Sequence, residues 1–441
     1  MIVNKWIFIA ILALCFTFQA LAQDELDLLE DDVEMDFSMD EESEFSEEPH
    51  SGVDADTVAS PSAIRISLDH ALSFRLGEQK NMVNNRTGVN IDYASSIGES
   101  LYAKIDATGS LYWTKDHRAI SKAQDYDFDS LIKEAWLQKS FEQLTFKLGL
   151  QSIVWGDVEG AQATDTLNPI DTSEFLFVDF EDTRIGQETI SATLYTESLT
   201  WETFVTPVPQ FNKNPADGSI YARQNSLSSL KIISVEKPNP EYGLRTKFKL
   251  GVSEMALLVA NLNPNQPGYQ LKNNRLQEVA KPFLLYGTNF NYPIGQTLLK
   301  ADLGYKTDQG INDKNFELVY KDRLDTAFGI ETTISQHSLV ASVSLSQIID
   351  WDESLTQKKD SGYVNLGWTK TYFNEDLTLN LGLLGVLSRS DRIANGLVDY
   401  KLNDRFKFSM GLFVFSITDE ESDFYAFREE HRIEFKTKYQ F

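Results

Sequence analysis

The sequence predicts an all-β chain: one closed antiparallel barrel of about 18 membrane-crossing strands, with about 16 as the alternative count. Three observations predict it. Short runs of eight to thirteen residues alternate apolar and polar side chains along most of the chain. The connections between runs are sorted, every second one being short. After residue 22 no stretch carries the roughly 18 consecutive apolar residues of a helical span.

The N-terminus reads as an address. Lys5 supplies a positive n-region, Trp6 to Phe18 an apolar h-region, and Ala20-Leu21-Ala22 an A-x-A-like cleavage site before Gln23. Residues 1–22 therefore read as a secretory signal peptide, the h-region being shorter than the roughly 20 residues of a spanning helix. Cys15, the only cysteine, lies inside it, and a lipoprotein site would want a small residue where Leu14 stands. The exported chain is left without cysteine and so was not built on disulfides.

Residues 23–63 form an acidic segment. Sixteen Asp and Glu and no Lys or Arg stand between Asp24 and Ala63, a large share of the formal charge of −26. Self-repulsion predicts a disordered periplasmic segment. Leu26, Leu28, Leu29, Val33, Met35, Phe37, Met39 and Phe45 are threaded through it, the composition of segments that fold on a partner. Residues 24–48 read as a solvated spacer, a docking segment being the alternative.

From residue 64 to residue 441 the alternation is that of strands, whose side chains point to opposite faces in turn. IRISLDHALSFRL sets Ile64, Ile66, Leu68, Leu72, Phe74 and Leu76 against Arg65, Ser67, Asp69 and Arg75. LYAKIDATGSLYW sets Ala103, Ile105, Ala107, Leu111 and Trp113 against Lys104, Asp106, Thr108 and Ser110. Most runs suit a tilted membrane strand of roughly 9–11 residues. With the first strand running outward, the short connections are 95–99, 141–143, 196–198, 252–254, 293–296, 335–338, 373–376 and 402–405. The long ones include 114–129, 155–186, 207–240, 263–281 and 350–361. Short periplasmic turns against longer external loops mark an outer-membrane barrel, whereas a soluble sandwich has no reason to sort its loops. Residues 315–324 (NFELVYKDRL) read as strand or loop and carry the uncertainty in the count. Negative mean hydropathy argues against a helix bundle and not against a barrel, because lumen and loops are polar.

The chain ends in FYAFREEHRIEFKTKYQF, where Tyr425, Phe427, Ile433, Phe435, Tyr439 and Phe441 share one parity. Arg428, Glu430, Arg432, Glu434, Lys436 and Lys438 share the other. Its aromatic-x-Phe end, Tyr439 and Phe441, resembles the terminal strand that the outer-membrane assembly machinery recognises. Outer-membrane lipid and that machinery are the partners this implies, in a Gram-negative cell.

No chemistry of catalysis is legible. His50, His70, His117, His337 and His431 make no H-E-x-x-H pair, and no G-x-S-x-G elbow, P-loop or dinucleotide fingerprint is present. No catalytic residue, metal site or cofactor is therefore assigned, and an acidic chain with no basic stripe is not expected to bind nucleic acid.

The informative connection is WGDVEGAQATDTLNPIDTSEFLFVDFEDTRIG, residues 155–186. It follows a strand whose lumenal parity (Lys147, Gln151, Ile153) Trp155 continues. Asp157, Glu159, Asp165, Asp171, Glu174, Asp179, Glu181 and Asp182 stand in it against the single Arg184, and Asn168-Pro169 marks a turn. The apolar stretch from Phe175 to Phe180 is too greasy to wave in water, so the loop is expected to fold into the lumen as a constriction. A loop packed on the outer surface is the alternative. The lumenal parity also offers Arg65, Lys104, Arg245, Lys247, Arg428 and Arg432, a basic wall facing an acidic loop. That pairing is expected either to set a transverse field or to pin the loop by salt bridges.

LGLQSIVWGDVEGAQATDTLNPIDTSEFLF followed by EDTRIG resembles the hallmark of an outer-membrane barrel family, the domain of unknown function 1302. The resemblance is most specific at Trp155, Gly156, Asn168, Pro169 and Asp171, and PEYGLRTKF and KDRLDTAFGIE are similar too. It implies an outer-membrane channel for small apolar or amphipathic molecules, working beside a resistance-nodulation-division (RND) exporter that residues 24–48 would meet. A non-conducting receptor or adhesion barrel is the alternative.

Overall fold

A computed structural model describes residues 63–77, 80–97, 100–118, 126–174, 176–177, 181–215, 219, 221, 232–233, 238–272, 275–420, 422 and 424–441. The expected signal peptide and acidic segment, up to residue 62, lie outside the described residues. The first strands are β1 (Ala63–Arg75), β2 (Met82–Ile97), β3 (Leu101–Trp113), β4 (Tyr126–Ser140), β5 (Leu144–Gln151), β6 (Gln187–Tyr195) and β7 (Leu199–Thr206). Then come β8 (Ile232–Ile233), β9 (Glu241–Leu250), β10 (Ser253–Leu262), β11 (Gly268–Lys272), β12 (Arg275–Val279), β13 (Phe283–Ile294) and β14 (Thr297–Asn312). The last are β15 (Leu318–Ile334), β16 (His337–Ile348), β17 (Asp360–Tyr372), β18 (Leu377–Val386), β19 (Arg392–Lys401), β20 (Phe406–Ser416) and β21 (Arg432–Gln440).

Eighteen of these form one sheet in which each strand pairs antiparallel with its chain neighbours. The sheet closes where Ser67–Arg75 of β1 pairs with Arg432–Gln440 of β21, so no edge is left open. In hydrocarbon each unpaired backbone group costs several kcal/mol, and closure is the solution a sheet has. The expected eighteen strands are therefore found, because residues 318–324 belong to a long β15. β8, β11 and β12 form a separate three-stranded sheet within the outer connections.

The faces are those of a membrane barrel turned inside out relative to a soluble protein. Leu148, Phe328 and Leu381 point outward and are 57%, 55% and 55% exposed. Ser73, Asn289 and Arg432, on the inward parity, are fully buried. At the short-turn end the aromatic pairs Phe141–Phe146, Tyr372–Phe373 and Phe406–Tyr439 mark an interfacial girdle. Phe441 joins it, edge-on to Tyr439 at 4.9 Å, and its N–H donates to the carbonyl of Ile66 at 3.0 Å.

Every connection on that side is short, and three are two-residue hairpins. Gly251 (φ 66°) and Gly295 (φ 60°) supply the left-handed backbone such turns require, while Ser335 (φ 48°) and Gln336 (φ 68°) adopt it without glycine. The outer side is less uniform than expected: 313–317 and 387–391 are short as well.

One expectation is corrected. The final strand begins at Arg432, not near Phe424, and Tyr425–Phe427 is a single 3-10 turn. The chain leaves the sheet there because Phe424 and Phe427 bury into a lumenal apolar cluster. Tyr425 and Phe427 are consequently not lipid-facing, and Arg428 is not on the lumen wall. Arg428 lies over the Tyr425 ring at 4.2 Å in the outer connection.

Candidate functional site

The segment from 152 to 186 does not hang outside; it is built into the barrel. β5 ends at Gln151, whose amide donates to the Thr189 carbonyl at 2.8 Å and anchors the exit point on β6. Trp155 then turns into the lumen, 2% exposed, edge-on to Phe204 of β7 at 5.2 Å and packed with Leu167, Leu258 and Leu285. The inner wall is cut back to receive it. A Cβ at Gly243 of β9 would sit 2.9 Å from the Trp155 ring, and one at Gly304 of β14 would overlap the Ala163 carbonyl. Gly156 serves the same end within the segment, where a Cβ would stand 2.7 Å from that of Asp165.

Hydrogen bonds then carry the segment along the wall. The Asp302 carboxylate on β14 accepts from the N–H groups of Asp157 and Val158, both at 2.9 Å, and from Asn289 at 2.6 Å. Arg245 on β9 donates to Asp157 and to Asn289, both at 3.1 Å, and Asn291 reaches the other Asp157 oxygen at 2.9 Å. Further round, Lys306 donates to the Gln162 carbonyl at 3.0 Å and Ser342 on β16 to that of Glu159 at 3.3 Å. Buried polar groups linked in this number favour a single arrangement.

The segment then folds back to its own neck. Asp165 pairs with Arg184 at 2.7 Å. Asn168 accepts from the Ile153 N–H at 2.9 Å and donates to the Ile153 carbonyl at 2.8 Å, closing a loop that Pro169 extends by accepting from Ile185 at 2.8 Å. Asp171 meets Lys213 of the next outer connection at 3.3 Å, and Asp182 meets Lys133 of β4 at 3.0 Å.

From there the tip reaches the opposite arc. Glu174 pairs with Arg86 of β2 at 2.9 Å and is hydrogen-bonded to His117. Phe177 lies among Phe413 and Phe415 of β20 and Phe427, with the Arg432 guanidinium 3.4 Å from its ring centre. These residues belong to a buried lumenal cluster that also includes Tyr221, Val386, Ile393, Ile417 and Phe424. Pinned to β9, β14 and β16 on one side and to β2 and β21 on the other, the segment crosses the lumen.

Of the expected basic wall, only Arg245 meets an acid of the segment. Lys104 pairs with Glu134 of β4 and Lys247 with Glu202 of β7, both at 2.8 Å. Arg65 lies on the inner parity of β1 opposite Asp92, near the short-turn end. Arg432 lies over the Phe177 ring of the segment, and its nearest carboxylate is Glu430 of the outer connection, not an acid of the segment. Asp157, Asp165, Asp171 and Asp182 each have a cation beside them, so these acids of the segment are spent on attachment. Sequence reasoning had Glu174 among the loop acids but missed Arg86, His117, Asn289, Asp302 and Lys306. The inward-parity glycines were the available signal, because a glycine inside a strand marks close approach of another backbone.

Glu174 gives this attachment a pH signature. Burial alone would raise its carboxyl, but the Arg86 guanidinium and the His117 hydrogen bond outweigh that and hold it well below the usual carboxylate range. A depressed folded pKa contributes stability that is present above the unfolded value and lost only as pH falls through the folded one. The tip should therefore stay attached from pH 7 to pH 5. Because Cys15, in the expected signal peptide, is the only cysteine, Leu176→Cys together with Cys15→Ser provides a clean probe. Its labelling by a maleimide, corrected for thiolate fraction, should not rise across that range. Adding Glu174→Gln should speed it several-fold at pH 7, and equal rates would show that Glu174 does not hold the tip.

The chain matches the family described as protein of unknown function (DUF1302) over residues 64–412. No curated protein matches its sequence. Among solved structures it resembles Pseudomonas aeruginosa OccK8 (OprE), with a TM-score of 0.51 and 12% identity over 86% of this chain and 97% of that one. It also resembles Acinetobacter baumannii OccAB1, TM-score 0.51 and 9% identity over 87% and 97%, and OccAB2, TM-score 0.50 and 10% identity over 86% and 98%. At such identities the likeness is one of barrel fold. The family match covers most of the chain, including the segment around Trp155, Asn168 and Pro169: the protein belongs to the DUF1302 family.

Proposed function

We propose that the protein is a channel of a Gram-negative outer membrane whose permeation path is narrowed by residues 152–186. The observation that carries this reading is the attachment of that segment to both arcs of the inner wall. A barrel meant only to display outer loops has no need of a built crossing. Below it, Lys104, Lys407 and Asp399 are partly exposed and Lys436 and Lys438 are exposed on the inner parity, in keeping with a wetted vestibule. Beside its tip the inner wall is apolar, with Ile393, Phe413 and Phe415 where water alone would call for polar side chains. That supports small apolar or amphipathic solutes. An exporter partner met through residues 24–48 belongs to the same proposal. Loss of a periplasmic crosslink when those residues are removed supports it, and an unchanged crosslink pattern would reduce them to a spacer.

The test is single-channel recording from the purified protein in planar bilayers, where discrete conductance steps are expected. The ordered sheet of β8, β11 and β12 among the outer connections favours the second reading, a non-conducting receptor. A folded, heat-modifiable barrel that passes no current would establish that second reading instead.

A further inference from the structure

The side chain of Arg432 is fully buried, and among the described residues its Nε, Nη1 and Nη2 find no hydrogen-bond partner. Its nearest carboxylate, Glu430, gives Oε1 to Arg75 and leaves Oε2 3.6 Å from Nη2, an ion pair beyond hydrogen-bond reach. The faces of the guanidinium are covered by Phe177 at 3.4 Å and Tyr221 at 5.5 Å. Aromatic faces attract a cation but accept nothing from its in-plane N–H fork. A buried charge with unmet donors is costly, and the shape that meets a guanidinium edge is a planar carboxylate, bound two-pronged. On one side the lining is apolar, Phe413 lying directly across the ladder from Arg432 with Phe415 and Phe427 beyond, while across the other ladder stands Arg75, already held by Glu430.

We propose that Arg432 and the aromatic cluster around it form a lumenal binding site for an organic anion with a carboxylate head and an apolar body. The proposal rests on the channel reading and names the solute class it would serve. The carboxylate takes the in-plane donors of Arg432, and the body lies against Phe413, Phe415 and Phe427. Access requires Phe177 or Tyr221 to shift; both come from connections rather than strands, so neither is locked by the ladder.

The test is calorimetric titration of the full barrel in lipid nanodiscs with phenylbutyrate, phenylbutanol and butyrate. Phenylbutyrate should saturate and bind roughly tenfold or more tightly than phenylbutanol, the scale of one charge-assisted contact, with butyrate weaker than either. Arg432→Met should reduce phenylbutyrate to the level of phenylbutanol and leave phenylbutanol unchanged. Absence of saturable phenylbutyrate binding, or equal binding by wild type and a heat-modifiable Arg432→Met barrel, would overturn the site. Should that variant not fold, Phe177→Ala keeps the question open to measurement. Uncovering the guanidinium should tighten phenylbutyrate several-fold and not phenylbutanol, and parallel changes in both would overturn the proposal. Conductance of the same preparation separates the two readings. Current without anion binding removes the site alone, and binding without current removes the channel alone.

Discussion

Replacing residues 157–182 by a short glycine-serine link should raise single-channel conductance several-fold and change the preference between small cations and anions. The deletion takes out the crossing while leaving every barrel strand intact. It removes Asp157, Asp165 and Asp171 together with the Phe177 tip. It also leaves Arg245, Lys306 and Arg86 on the wall without the groups they hold across the lumen. Arg86 keeps Asp116, Lys306 keeps Asp325 and Arg245 keeps Glu202, so the added water and the loss of the segment's carboxylates act together, toward a wider path with less negative charge. Substituting only Asp165→Asn and Asp171→Asn should have a smaller effect of a different kind. Both acids are paired, so the substitutions loosen the neck and should appear as noisier gating more than as a wider pore. Unchanged conductance and ion preference in the deletion would place the segment outside the permeation path.

What could be read in advance follows from which contacts are local. The strand register is a local property with a period of two, and the outward Leu148 and inward Lys147 were legible from LTFKLGL alone. The burial of Leu176 and Phe177 was legible as well, because an apolar run such as 175–180 is costly to leave in water, though 175 and 178–180 lie outside the described residues. Its partners were not: Arg86 and Asp302 lie far along the chain in either direction, and nothing in the spacing of a barrel strand announces which inward residue will meet a loop. The final strand was misread for a related reason. Tyr425 and Phe427 keep the same parity whether they face lipid or bury in the lumen. The contrary sign was Glu429 and His431, polar residues on a parity that lipid would have required to be apolar. The transverse-field and pinning readings of the acidic loop could be separated only by distances, and distances such as Arg245 to Asp157 favour pinning.

Leu148→Arg should destabilise the barrel by about 2–4 kcal/mol, the cost of a cation on the lipid face near mid-depth. Its outward neighbours on the ladder are Leu137 and Ile190, also exposed, so the new charge would have hydrocarbon around it and no acid to pair with. Lys147→Leu, one residue away, should cost about 1 kcal/mol or less. It gives up a contact with the Trp136 ring at 4.1 Å, while the lumenal face tolerates the change of polarity. The comparison is read as the fraction of protein that keeps its heat-dependent gel mobility across a urea series, each variant against wild type. Because a one-residue slip exchanges the two faces, equal damage from both substitutions would mean that β5 is misregistered. Greater damage from Lys147→Leu would mean that its inward and outward faces are reversed, and with them the direction in which the chain turns at Trp155 to enter the lumen.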